Sequence, residues 1–170
     1  DLISAELYAR QVLKEAPDEA QAYFGLGLIL ELKSKSQGAA TAAFVAANRL
    51  APDNYPFPIY LEKEQWKHCV ELALQQTPKN IRNFWDGLPV HLFESPDISE
   101  LRAAEPPLSP RVLGLYIGVA AKDLNTKPEG LRLFTRNLSR SLNHAEVIQK
   151  IATTLEQEAL DWLADSPLDS

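Results

Sequence analysis

From His144 to Leu163 the chain runs without Gly or Pro, and its apolar residues recur at helical spacing. At about 100° per residue, Val147, Ile148, Ile151, Leu155, Ala159 and Trp162 share one face, with Leu163 at its margin. Asn143, followed three residues on by Glu146, predicts an N-cap with a capping-box partner for this helix. Glu158 falls inside the apolar stripe, whereas Gln157 and Asp161 lie on its polar flank. A carboxylate among apolar residues is costly unless something pairs with it. One explanation is that the stem of Glu158 packs while its head reaches water or an Arg.

Upstream, Trp66, Cys69, Val70, Ala73 and Leu74 predict a helix that stops at Pro78. Ile81, Phe84 and Trp85 predict a short one ending at Gly87. Leu88 to Phe93 reads as a short strand, and Arg111 to Val119 and Gly130 to Thr135 read as two more, joined by a turn-rich connection from Asn125 to Glu129. Asp97 to Pro110, rich in Pro, Ser and acidic residues, reads as a surface loop with one helical turn. The whole predicts a helix-rich α+β chain, broken at Pro56-Phe57-Pro58 into domains of residues 1–55 and 56–170.

The first domain contains an internal repeat. Ala5, Ala9, Val12 and Pro17 match Ala40, Phe44, Ala47 and Pro52, each 35 residues later. Such a period signals stacked helical hairpins. Ala39, Ala40, Ala43, Ala46 and Ala47 let two helices approach closely, Gly27 admits a neighbouring backbone, and Asp18 with Gln21 predicts a cap for the second helix. With Tyr23, Leu26, Gly27 and Leu30 between the matched segments and Ala51-Pro52-Asp53-Asn54 closing them, residues 1 to 54 resemble a tetratricopeptide repeat. One extra residue within Lys33 to Gly38 stretches the usual period of about 34 residues. The resemblance implies that Gln21, Phe24, Leu28 and Glu31 line the inner face of the repeat's first helix and contact a protein or peptide. Packing of Phe24 and Leu28 against adjacent helices is the alternative. One and a half repeats do not bury their own faces, so either further repeats precede residue 1 or the hairpin packs on the second domain.

Composition narrows the partners. The chain is 45% apolar, and 23 acidic against 17 basic residues give a net charge of −6 with no basic block, which disfavours nucleic acid. No apolar run approaches the roughly 20 residues needed to span a bilayer, so no membrane partner is expected. Cys69 is the single cysteine, and a reducing cytoplasm is the expected location. Beginning at Asp1 and lacking Met, the chain reads as a fragment or processed product. His68, His91 and His144 lie in separate predicted elements, which disfavours zinc. Glu158 and Asp161, one turn apart, read as a solvated edge rather than a Ca²⁺ or Mg²⁺ site. Gly114 and Gly118 have no phosphate-loop context, and no serine or cysteine nucleophile stands out.

Gly114-Leu115-Tyr116-x-Gly118, then Leu131-Arg132-Leu133-Phe134-x-Arg136-x-Leu138, then the helix through Thr154, resemble the minimal-zincin, MMP-like metallopeptidase family of bacteria. The similarity spans about residues 61 to 165 and implies a small α+β domain with a short sheet against helices. Family members carry His-Glu-x-x-His on the last long helix, where two imidazoles one turn apart hold Zn²⁺ and the Glu takes a proton from the metal-bound water. The resemblance places Gln157 and Asp161 at the ligand positions and Glu158 at that of the base. Ala164 replaces the following Gly, and Asp165 and Asp169 are out of step for a third ligand. An amide and a carboxylate make an oxygen-only pair that disfavours zinc. The expectation is therefore a pseudo-metallopeptidase without cofactor or catalytic residues, acting by binding a protein or peptide. A hydrolase using Glu158 with an atypical or absent metal is the alternative, and a structural cap on a longer repeat array is a third reading.

Overall fold

The computed structural model describes residues 2–33, 37–118 and 126–165, with Gln37 and Asp165 described for their backbone only. The chain divides into two compact units, Asp1–Pro58 and Ile59–Ser170. It is a helix-rich α+β protein, with eight helices and a three-stranded mixed sheet among the described residues.

The first unit holds α1 (Leu2–Glu15), α2 (Ala20–Leu32) and α3 (Gln37–Leu50). α2 packs on both of its neighbours and supplies most of the buried surface. Small residues set its spacing from α3. Gly27 makes room for a side chain and not for the backbone expected there, since a β-carbon would lie 2.6 Å from the Phe44 ring, and Ala40, Ala43 and Ala47 are buried. The N-cap of α2 is Glu19, whose carboxylate accepts the Gln21 N–H at 3.1 Å, and not Asp18 as predicted. The longer acidic side chain sits at the residue that already has extended backbone, and there it meets the orphan N–H groups of the first turn. The predicted insertion within Lys33 to Gly38 falls largely on residues 34–36, outside the described residues.

The second unit comprises α4 (Lys63–Gln76), α5 (Lys79–Trp85), β1 (Val90–Phe93), α6 (Ile98–Ala103), β2 (Gly114–Ile117), β3 (Gly130–Phe134), α7 (Thr135–Ser139) and α8 (His144–Asp165). The sheet order is β1-β3-β2, parallel between β1 and β3 and antiparallel between β2 and β3. β3 is central, and all of its residues are buried except the half-buried Arg132. Leu131 and Leu133 join Val147, Ile151, Leu155 and Ala159 of α8 in one core with Trp66, Ala73 and Trp85. On the opposite face, Arg132 forms a two-point ion pair with Glu100 of α6.

Polar contacts settle the ends of the helices. Arg82 donates to the carbonyls of Leu74, Gln75 and Thr77, which closes the C-terminus of α4 from α5. Glu62 and Gln65 form a capping box at its start. At α8 the Asn143 side chain accepts the Glu146 N–H at 3.0 Å, while the Glu146 carboxylate reaches back to the Leu142 N–H at 2.6 Å, one residue further than a capping box requires. Two predicted strands are shorter than expected, and Thr135 begins a helix instead of ending a strand. α7 follows β3 with no intervening turn residue, so nothing in the local pattern announces it. Val119 and Asn125 lie outside the described residues.

Candidate functional site

The last long helix places the motif positions on two different sides. Gln157 is exposed and Asp161 half-buried, and the Gln157 Nε2 donates to the Asp161 Oδ1 at 2.8 Å. Glu158 is buried, 7% exposed, and turns toward the sheet. Its Oε2 accepts the backbone N–H of Tyr116 in β2 at 2.8 Å. The unexplained acid of the apolar stripe thus has a partner in the main chain of a strand 42 residues upstream. A hydrogen bond from a backbone amide to a carboxylate is charge-assisted and offsets part of the cost of burial.

The surroundings are tightly built. A β-carbon at Gly114 would lie 2.8 Å from the Thr154 Cγ2 and 2.7 Å from the Arg132 carbonyl oxygen, so α8 passes β2 in close contact there. Further along, the Trp162 and Tyr116 rings meet edge to face with centroids 5.2 Å apart. The Trp162 Nε1 donates to the Thr126 carbonyl at 3.1 Å. From below, the buried Trp85 Nε1 donates to the Leu155 carbonyl at 2.8 Å. Asn137 of α7 donates to the carbonyls of Pro110 and Val112, which fixes the segment leading into β2.

This donor set does not fit zinc. Gln157, expected at a ligand position, carries an amide whose nitrogen is engaged with Asp161, and the Glu158 carboxylate between them faces a strand. Zinc sites need three or four converging N, S or carboxylate donors. No group of three or more His, Cys, Asp and Glu among the described residues is placed to hold a metal ion. His68, His91 and His144 are all exposed. His68 and His144, together with Cys69, line an apolar pocket of about 390 Å³ whose other walls include Leu61, Leu72 and Ile148. Burial pushes the Cys69 thiol up from its ordinary value, away from the reactive thiolate.

In the N-terminal unit, Phe24 and Leu28 are buried with Ala47, and the Phe24 ring stacks on Tyr55 at 4.8 Å. Gln21 is exposed and Glu31 half-buried, so the polar ends of the inner face are the parts that reach solvent. Sequence reasoning missed Tyr116, whose main chain rather than side chain meets Glu158. Every residue but proline carries a main-chain N–H, so the sequence held no signal for this partner. No protein-family model matches this chain, and no curated protein sequence matches it either. No described helix is long and apolar enough to cross a membrane.

Proposed function

We propose that this chain is a non-catalytic protein-binding module, a tetratricopeptide-like helical unit joined to a degenerate zincin-like domain that has lost its metal and its hydrolytic chemistry. The observation that carries the reading is the engagement of the three motif positions. Gln157 and Asp161 bond each other, and Glu158 directs one oxygen to the Tyr116 amide, which turns the group that would activate a water toward a strand. Support for binding comes from α1, where Ile3, Leu7 and Tyr8 are 62%, 65% and 71% exposed. Apolar side chains at that exposure are ones a folded protein partner would cover. Gln21 adds a polar contact point on α2.

Two measurements test the two halves of this reading. Metal content after dialysis should be far below one zinc per chain, and peptide substrates should remain intact. One tightly bound equivalent, or cleavage that disappears in Glu158→Gln while the fold is retained, would establish the hydrolase instead. For binding, the intact chain serves as bait beside a Leu7→Lys, Tyr8→Lys, Gln21→Lys variant whose circular dichroism matches the parent. A specific partner retained by the parent and lost by the variant is expected. Equal capture by both would show that this surface is not the binding face.

A further inference from the structure

Strand alternation decides which backbone groups of β2 face its neighbour. The Phe134 N–H donates to the Leu113 carbonyl at 2.9 Å, and the Glu129 N–H to the Ile117 carbonyl at 2.8 Å. In an antiparallel ladder with this register, Leu113, Leu115 and Ile117 turn their main chain toward β3. Gly114 and Tyr116 therefore turn theirs outward, on the side where the sheet order ends among the described residues. An outward N–H on a terminal strand is a template for pairing with another extended chain.

α8 lies against that strand with matched spacing. Four residues of helix rise about 6 Å, and two residues of strand advance about 6.6 Å, so successive helical turns meet alternate residues of the strand. Thr154 meets Gly114, Glu158 meets Tyr116, and Trp162 meets both Tyr116 and Gly118. A side chain at Gly114 would collide with Thr154, and at Gly118 a β-carbon would stand 3.8 Å from Trp162 with the backbone at φ +115°. Of the three helical positions, the middle one carries the group that accepts a hydrogen bond from the strand.

We infer that Glu158 is a positioning residue that closes the outer edge of β2, its carboxylate standing where the carbonyl of an added strand would otherwise pair with the Tyr116 amide. The acid of the degenerate motif is thereby a built-in cover for a sheet edge. It prevents extended peptides, including a second copy of this chain, from joining the sheet at Tyr116. This role holds whether or not the chain binds a partner through its N-terminal unit.

The test compares the full chain with Glu158→Gln, which keeps an acceptor oxygen, and Glu158→Leu, which keeps the bulk and removes it. Residue-resolved amide exchange should show Tyr116 protected in the parent and within about threefold of it in Glu158→Gln. In Glu158→Leu the Tyr116 amide should exchange at least about tenfold faster, with the Leu131 and Leu133 amides unchanged. Sedimentation velocity should find Glu158→Leu self-associating at concentrations where the other two keep a single sedimenting species. Equal Tyr116 exchange in all three proteins, or Glu158→Leu in the parent's association state, would overturn the assignment. If Glu158→Leu does not fold, the parent and Glu158→Gln decide: an unprotected Tyr116 amide in either refutes the role, and protection in both upholds it.

Discussion

Gly114→Ala tests the contact between α8 and β2 most directly. The new β-carbon would lie 2.7 Å from the Arg132 carbonyl oxygen, 2.8 Å from the Thr154 Cγ2 and 2.9 Å from the Leu133 Cδ2, where ordinary contact begins at 3.4 Å. Each neighbour must retreat by half an ångström or more. The Arg132 oxygen belongs to the central strand and Thr154 to the longest described helix, so neither moves alone. Inserting a methyl into such a site costs about 1–3 kcal/mol, whereas trading Gly for Ala recovers about 0.4–1 kcal/mol through the unfolded chain. With backbone on one side and a packed helix on the other, the upper end of the steric range applies. The net loss is about 2 kcal/mol, a fall in melting temperature of roughly 6–10 °C for a unit of this size. All three tryptophans, Trp66, Trp85 and Trp162, lie in residues 59–170 and are buried, so urea titration followed by tryptophan fluorescence reports on this unit alone. The midpoint should drop with the slope unchanged. Adding Thr154→Ser removes the methyl on the helix side but leaves the Arg132 oxygen, and it should restore less than half of the loss. A midpoint equal to or above the parent's would refute the packing argument, and full rescue by Thr154→Ser would refute the part played by the strand oxygen.

Gly27→Ala differs in kind, because its three nearest contacts, at 2.6–2.9 Å, are all atoms of the Phe44 ring. It should cost about 1–2 kcal/mol in the parent and nearly nothing in a Phe44→Leu background, a coupling that a double-mutant cycle on thermal unfolding measures. The Lys150 ammonium and the Leu142 N–H hold the Glu146 carboxyl below its ordinary value, so the group stabilises the fold above the ordinary glutamate range and ceases to as pH falls through the depressed folded value. The stability gap between parent and Glu146→Gln should therefore be present at neutral pH and close on acidification; a gap that persists or widens in acid would contradict the assignment.

Most elements, α7 excepted, were legible in the order of residues alone. Periodicity located α4, α5 and α8, short runs of apolar residues located the three strands though not their ends, and small residues at Gly27, Ala40, Ala43 and Ala47 marked the packed helix pair, because these signals depend on neighbours within a turn or two. Glu158 was equally visible, since a carboxylate in an apolar stripe violates the local rule. Its partner came to light only in three dimensions. That partner is a main-chain N–H in β2, and every residue except proline carries one, so no side-chain pattern singles out Tyr116. The same holds for the sheet order, in which β3 inserts between β1 and β2 although it follows both in the chain. Strand pairing and the direction of a buried side chain are set by groups far apart in sequence, and their energies exist only once the chain has brought those groups together.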